Sequence, residues 1–135
     1  MKIAALDLGD RWIGIATCDP LEIVASPLKT TSPQHLDKEI INLINNNVSL
    51  IVVGLPKTMR NTESAQTKKI ISQFEDFKQK YPHIDWMLWD ERLTSQQAQK
   101  IARKKQKEDK LLGHAIAAAL ILESFLEHRR MQNQE

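Results

Sequence analysis

The stretch MKIAALDLGDRWIGIATC, residues 1–18, decides the fold. Two apolar runs, 3–6 and 13–18, flank a short polar segment that contains Gly9, so the stretch predicts a strand, a turn and a returning strand. Asp7 ends the first strand, and we expect its carboxylate at the rim of the sheet. A fold that alternates strand and helix from the start would not begin with a hairpin. The opening therefore favours a mixed sheet.

The rest of the chain carries helical and strand periodicities in turn. A third short strand is expected near 24–28. Ser32 is predicted to cap the first helix with its side chain ahead of Pro33, a first-turn proline. The hydrophobic pattern then predicts strands over 50–53 and 84–89, and helices over 62–81, 94–104 and 112–128.

This order of elements predicts an α/β protein of the RNase H-like type. Its sheet is expected to be mixed and five-stranded, with an N-terminal antiparallel hairpin, later parallel crossovers and flanking helices. The chain has 135 residues, of which 41% are hydrophobic. That size suits one core, so we expect a single domain over 1–135.

The composition indicates a protein of the reducing cytoplasm, but the overall charge does not identify its binding partner. The 19 basic and 17 acidic residues give a net charge of only +2, so nucleic-acid binding must rest on local clusters of charge. Cys18 is the only cysteine, which excludes an intrachain disulfide and fits a reducing cytoplasm. We expect no signal peptide, because an acid follows only four apolar residues, and no apolar run of membrane-spanning length.

Three acids stand at the ends of predicted strands. Asp7 ends the first strand, and Asp90 and Glu91 end the last one. Because successive strand residues point to opposite faces, one of Asp90 and Glu91 should share a sheet edge with Asp7. Such a group could hold a metal ion. The alternatives are that Asp7 only caps its turn, and that the other two acids form a solvated loop with Arg92.

His114 opens the last predicted helix and is the candidate third ligand. A helix start beside the strand ends would bring its imidazole towards the acids. A lone histidine is more often an ordinary capping or surface residue, and Asp109 is a competing third acid.

A basic segment precedes this helix. Residues 100–110 contain six basic and two acidic side chains, a local charge of +4. Because 105–110 has no apolar residue to bury, we expect a mobile basic loop there, able to neutralise phosphates. The alternative is a solvated helix end.

Four motifs, in order along nearly the whole chain, resemble the YqgF-type or RuvX-type family. These are RNase H-like bacterial proteins described as pre-16S rRNA nucleases and formerly as Holliday junction resolvases. The motifs are Asp7-Leu8-Gly9 with Arg11 and Gly14, Val53-Gly54-Leu55-Pro56 with Met59, Asp90-Glu91-Arg92-Leu93-Thr94-Ser95, and Ala118-Ala119 leading into Ile121-Leu122-Glu123-Ser124.

The resemblance implies a metal-dependent nuclease that hydrolyses phosphodiester bonds in 5′-end processing of pre-16S ribosomal RNA. Asp7, Asp90, Glu91 and His114 would be catalytic, with Mg²⁺ or Mn²⁺ on Asp7, Glu91 and His114. His114 stands where the family usually has an acid, and Arg60-Asn61 follows the methionine where the family usually has glycine. The residues expected to bind nucleic acid are Arg11, Lys57, Arg60, Arg92, Lys104, Lys105, Lys107 and Lys110.

Two other functions stay open. One is a Holliday junction resolvase in DNA recombination and repair, which would have to cut two strands symmetrically and should be a dimer. The other is a non-catalytic nucleic-acid-binding module, suggested by the histidine at position 114. The expected partners are precursor ribosomal RNA or branched DNA and ribosomal particles, with no membrane, and the expected protein is a cytoplasmic monomer or weak homodimer.

Overall fold

A computed structural model describes residues 2–56, 64–94 and 107–133 and the single positions 98, 100 and 104. Two short 3₁₀ turns, Pro33–His35 and Glu91–Leu93, join longer elements. The strands and α-helices run in the order β1 (Lys2–Leu8), β2 (Ile13–Cys18), β3 (Ala25–Thr31), α1 (Leu36–Asn45), β4 (Val48–Leu55), α2 (Ala65–Lys80), β5 (Asp85–Asp90) and α3 (Lys110–Asn133).

The five strands form one mixed sheet in the order β3-β2-β1-β4-β5. β1 pairs antiparallel with β2, and β2 with β3, while β1–β4 and β4–β5 are parallel pairs. The predicted RNase H-like α/β arrangement with an opening hairpin is confirmed. Because β1, β4 and β5 run in the same direction, their carboxyl ends meet at one edge of the sheet, where open α/β sheets bind their ligands.

Each face of the sheet buries its own apolar core. Ala4 and Leu6 of β1 point towards α1 and α2, whereas Ile3 and Ala5 point towards α3. β4 contributes to both cores, as expected for a central strand covered on both faces. The same alternation in β5 sends Trp86 to the first core and Trp89 to the second. A side chain at the end of a strand is therefore committed to one face by its place in the alternation.

The helix α3 is longer than its sequence pattern predicts and begins at Lys110. Asp109 explains the early start, because its carboxylate accepts hydrogen bonds from the amides of Leu111 and Leu112 at 3.1 and 3.2 Å. Within the stretch 105–110, where a loop is expected, the structure describes Lys107, Glu108 and Lys110 as helical and Asp109 as irregular. The Asp109 cap accounts for the start of α3 at Lys110 although no apolar residue precedes Leu111 there.

The expectation that no apolar run reaches membrane length also needs correction. The stretch Leu111–Gln132 of α3 is long and apolar enough to cross a bilayer by length and composition, with a mean hydropathy of 1.3. Half of it is buried inside the protein. Ala115, Ala118 and Ala119 face the sheet, and these small side chains let the helix lie close to the strands. α3 is thus a core helix of this domain.

The starts of the other helices differ in detail from the predictions. Ser32 does not cap α1, because its hydroxyl lies 2.8 Å from His35 Nδ1 and a 3₁₀ turn intervenes. α2 is capped by Ser64, whose Oγ accepts from the Thr67 amide at 3.1 Å. The predicted helix over 94–104 lies largely outside the described residues.

Candidate active site

Asp7 lies near the end of β1, in the middle of the sheet. It is directly opposite Gly14 of β2 in the antiparallel register. Ile3 and Ala5, which share its side of the strand, pack towards α3, so Asp7 also points to the α3 face. The side chain is partly buried there. Asp7 therefore lies at the middle of the sheet edge where the carboxyl ends of β1, β4 and β5 meet.

Glu91 meets Asp7 from the end of β5. It opens the 3₁₀ turn after that strand, and its side chain forms a hydrogen bond with the Asp7 carboxyl group. Asp90 follows Trp86 and Leu88 in the alternation of β5 and so belongs to the opposite face. The sequence left Asp90 and Glu91 as alternatives, and the structure brings Glu91 to Asp7.

The carboxyl groups of Asp7 and Glu91 have strongly raised pKa values. Burial raises the pKa of Asp7 to about 6, although the hydrogen bond with Glu91 works in the opposite direction. Burial first, and then the repulsion of Asp7, raises the pKa of Glu91 to about 8. Two acids so close cannot both ionise cheaply unless a positive charge joins them. The hydrogen bond between the two groups requires a proton on one of them, and a bound cation could supply the same positive charge.

His114 comes close to this pair through its backbone. A Cβ built on Gly14 would lie 1.9 Å from the His114 carbonyl oxygen, so the first turns of α3 cross β2 directly beside Asp7. Burial lowers the pKa of the imidazole and so favours its neutral form. Within the described ranges, however, no three His, Cys, Asp or Glu side chains are grouped closely enough to hold one metal ion. The structure therefore joins Asp7 with Glu91 but does not add the imidazole.

Gly54 has a steric role that the sequence analysis did not recognise. A Cβ on this residue of β4 would lie 2.8 Å from Glu91 Oε1 and 2.5 Å from Ile121 Cδ1. Glycine lets the glutamate reach across β4 towards Asp7 without displacing either of these side chains. The sequence around Gly54 does not reveal this steric requirement, because it depends on neighbours that are remote in sequence.

Ser124 is a second residue with a positioning role that the sequence did not reveal. Its Oγ donates to the Leu93 carbonyl at 3.2 Å and accepts from Trp89 Nε1 at 3.1 Å. The hydroxyl on α3 thereby fastens both the end of β5 and the 3₁₀ turn that carries Glu91. Such a partly buried hydrogen-bond network holds the turn that carries Glu91 more firmly than packing alone would.

The acid pair fits a hard divalent cation. Magnesium is usually held by one or two carboxylates, with waters and substrate phosphates filling its other positions. Two adjacent carboxyl groups at the carboxyl edge of the sheet match that pattern, and the part of the chain that the structure describes adds no third ligand. The raised pKa values are consistent with this, because the cation would supply the charge that the buried pair lacks.

The predicted nucleic-acid-binding residues are spread around this edge. Arg11 lies in the turn after β1 and is exposed, as are Lys104 and Lys107. Lys110 begins α3, and Arg92 lies in the 3₁₀ turn, while the side chains of both fall outside what the structure describes. Lys57, Arg60 and Lys105 lie outside the described residues altogether.

Comparison with known proteins agrees with the resemblance seen in the sequence. The family model described as RuvX, Holliday junction resolvase, matches residues 1–128. A protein of Thermoanaerobacter pseudethanolicus named "Putative pre-16S rRNA nuclease" is 39% identical over 96% of this chain and 99% of its own length. A protein of Koribacter versatilis with the same name is 35% identical over 99% of this chain and 92% of its own.

Solved structures support the fold. Thermus thermophilus RuvC in complex with a Holliday junction substrate matches 97% of this chain and 96% of its own with a TM-score of 0.60 and 18% identity. The fowlpox virus resolvase, solved with Holliday junction DNA, matches 96% of this chain and 99% of its own with a TM-score of 0.51 and 11% identity. Because the sequence identities are below 25%, these matches support a shared fold and nothing more.

Proposed function

Because this chain belongs to the RuvX family, we propose that it is a divalent-metal-dependent nuclease that hydrolyses phosphodiester bonds in precursor 16S ribosomal RNA. The hydrogen-bonded pair of Asp7 and Glu91 carries the proposal. Its raised pKa values and its place at the carboxyl edge of the sheet are features of a working site. A purely structural ion pair would instead join an acid to a base.

The residues of the site suit hydrolysis of a phosphodiester. When bound, Mg²⁺ or Mn²⁺ would neutralise the phosphate and lower the pKa of the attacking water. Asp7 and Glu91 would hold that ion through their carboxylate oxygens. Gly54 keeps the path of Glu91 open, and Ser124 holds the turn that carries it. We retain His114 as a candidate proton carrier, because its backbone lies beside Gly14 and its lowered pKa favours the neutral imidazole.

Contact with the nucleic-acid backbone is assigned to the exposed basic residues around the site. Arg11 follows the strand that carries Asp7, and Lys104 and Lys107 precede α3. We extend this role to Lys57, Arg60, Arg92, Lys105 and Lys110 from the sequence. Contacts of this kind position a substrate without reading its bases. The protein would act in the cytoplasm, on ribosomal precursor particles, as a monomer or weak homodimer.

A Holliday junction resolvase is the second candidate. The description of the matching family favours it, and the architecture is shared with two junction resolvases. Symmetric cleavage of a four-way junction needs two active sites related by a twofold axis. A stable dimer that cuts junctions in paired positions would therefore favour this reading over RNA trimming.

The proposed function can be tested by cleavage of a precursor 16S rRNA fragment and a four-way DNA junction of similar length. Both substrates are offered with Mg²⁺ and with Mn²⁺ to the wild type, Asp7→Asn and Asp10→Asn. Asp10 is a matched control, since it lies in the adjoining turn but is exposed and paired with Lys69 at 2.6 Å.

We expect metal-dependent cleavage of the RNA, loss of at least a hundredfold in Asp7→Asn and little change in Asp10→Asn. Removing the metal with EDTA should stop cleavage. Specific cutting of the junction alone would favour the resolvase. Binding without cleavage under every condition would favour a non-catalytic module.

A further inference from the structure

A groove runs over the outer edge of β5, away from the acid pair. In the described part of the chain β5 is the last strand of the sheet, so its outer edge has no neighbouring strand. The groove has a volume of about 810 Å³ and is bordered by the C-terminal parts of α2 and α3. That volume lies within the range of ligand pockets in proteins.

Aromatic rings line the groove from both faces of the sheet. Trp86 reaches it from the α2 side, where its ring stacks on Phe77 with centroids 5.1 Å apart. Trp89 reaches it from the α3 side and meets Phe125 edge to face. Both indole N–H groups already have partners, Tyr81 O and Ser124 Oγ, so the rings have apolar surface and no free donor to offer.

Two cations border these rings. Lys78 on α2 is half-exposed and lies 3.8 Å from Glu75, and Arg129 on α3 lies 3.6 Å from Glu22. Such long surface pairs hold a side chain weakly. The atom of Arg129 that faces Glu22, Nη1, is buried and is too far from the carboxylate for a hydrogen bond. The guanidinium carbon also lies 6.0 Å from the centre of the Phe125 ring, so Arg129 contributes positive charge at the border of the groove.

Aromatic faces beside cations are the chemistry of single-stranded nucleic-acid binding. Bases stack on the rings, and the phosphates follow the positive charges. Asp85 also lines the groove, at the beginning of β5, and would keep phosphates towards the two cations. An acidic peptide would use the cations equally well, but it would gain less than a nucleobase from two indole rings that have no free donor.

The groove is connected to the acid pair by β5 itself. Met87, which lines the groove and is exposed, stands four residues before Glu91. At the rise of a β-strand this separation is about 13 Å. A strand of nucleic acid leaving the acid pair could therefore reach the groove within a few nucleotides.

We propose that the groove at the β5 edge binds an unpaired base and its phosphate in the single-stranded part of the substrate, a few nucleotides from the scissile bond. This inference rests on the proposed nuclease function for its substrate, but it assigns a second contact that the cleavage chemistry does not need. It predicts that the protein prefers substrates with an unpaired tail on one side of the cut.

Binding of an eight-nucleotide single-stranded RNA in EDTA tests the groove apart from cleavage. The probe carries a fluorophore, and its affinity is compared with that of an abasic strand of the same length. We expect the base-containing strand to bind about tenfold more tightly, because stacking is lost in the abasic one. Equal affinities for the two strands would overturn the proposal.

Charge variants locate the contact. Lys78→Gln with Arg129→Gln should weaken binding several-fold and reduce the slope of log affinity against log salt by about 1.4. Lys38→Gln with Lys80→Gln is the matched control, because Lys38 is an exposed residue of α1 and Lys80 turns towards Asp37 at 3.0 Å. Equal losses in the two double variants would overturn the proposal.

Photo-crosslinking of a 5-bromouridine probe gives a readout that needs no substitution. Crosslinked peptides should contain Trp86 or Trp89, and crosslinks confined to other peptides would contradict the proposal. Groove binding by a protein that cleaves nothing would refute the nuclease function and leave this contact standing. If the groove variants change the oligomeric state but not RNA binding, the groove belongs to a protein partner and the proposal fails.

Discussion

At the scale of single residues, Glu91 is held partly buried beside another acid at a cost to stability. Its pKa is raised from about 4.5 to about 8, so the folded protein binds a proton that the unfolded chain releases. The free energy of unfolding should therefore fall as the pH rises from about 4.5 towards 8. We attribute this loss of stability to function, because metal binding needs the ionised Glu91 carboxylate.

The variant Glu91→Gln tests this cost in metal-free buffer. The amide can still donate to Asp7 but cannot ionise, so the variant should melt a few degrees above the wild type at pH 8, roughly what 1 kcal/mol gives in a domain of this size. At pH 4.5 the difference should nearly vanish. Thermal melting across this range checks it, and a variant less stable at pH 8 would contradict the electrostatic account. Added Mg²⁺ should stabilise only the wild type.

Gly54 is expected to affect Glu91 only sterically, by leaving free the space that a larger side chain would fill. In Gly54→Ala the new Cβ would press on both Glu91 Oε1 and Ile121 Cδ1, which are ends of side chains that can move. We expect cleavage to fall at least tenfold with a modest loss of stability. Adding Ile121→Val removes the Cδ1 contact, so the double variant should regain stability but not activity. Recovery of both would show that Gly54 serves packing only.

At the scale of elements, the contact of α3 with β2 fixes one side of the site. Gly14 has no room for a Cβ, because the obstacle is the His114 backbone and not a movable side chain. Gly14→Ala must push the start of α3 off the sheet, and we expect a loss of several kcal/mol, at or beyond the upper end for overpacked cores. Denaturant unfolding measures it, with Gly54→Ala as the milder comparison. Equal stabilities of the two variants would refute this contact.

At the scale of the whole molecule, much of the architecture could be predicted from the sequence. The opening hairpin, the central strand and the alternation in β5 depend on local periodicity, which the sequence displays directly. The alternation of side chains along β5 also limited the acid that meets Asp7 to Asp90 or Glu91. The choice between them required the faces of the sheet, which Trp86 and Trp89 reveal only once they are packed.

The features that could not be predicted from the sequence depend mainly on contacts between distant parts of the chain. Gly54 and Ser124 act on Glu91 from β4 and α3, and no local pattern announces such roles. The early start of α3 was missed because one side chain, Asp109, caps it. The prediction that His114 would be a third ligand is not matched by a three-ligand group among the described residues, which contain the His114 backbone beside Gly14. The direction of a side chain cannot be read from the spacing of residues along the chain.

The central claim is that Asp7 and Glu91, on one face of the sheet, form the metal-dependent catalytic centre. Asp90 is the matched control, since it adjoins Glu91 but points to the other face. The decisive measurement is single-turnover cleavage of precursor 16S rRNA in saturating Mg²⁺ by Glu91→Gln and Asp90→Asn. The account predicts a loss of at least a hundredfold for Glu91→Gln and no more than a few-fold for Asp90→Asn. Equal losses, or the reverse order, would contradict it.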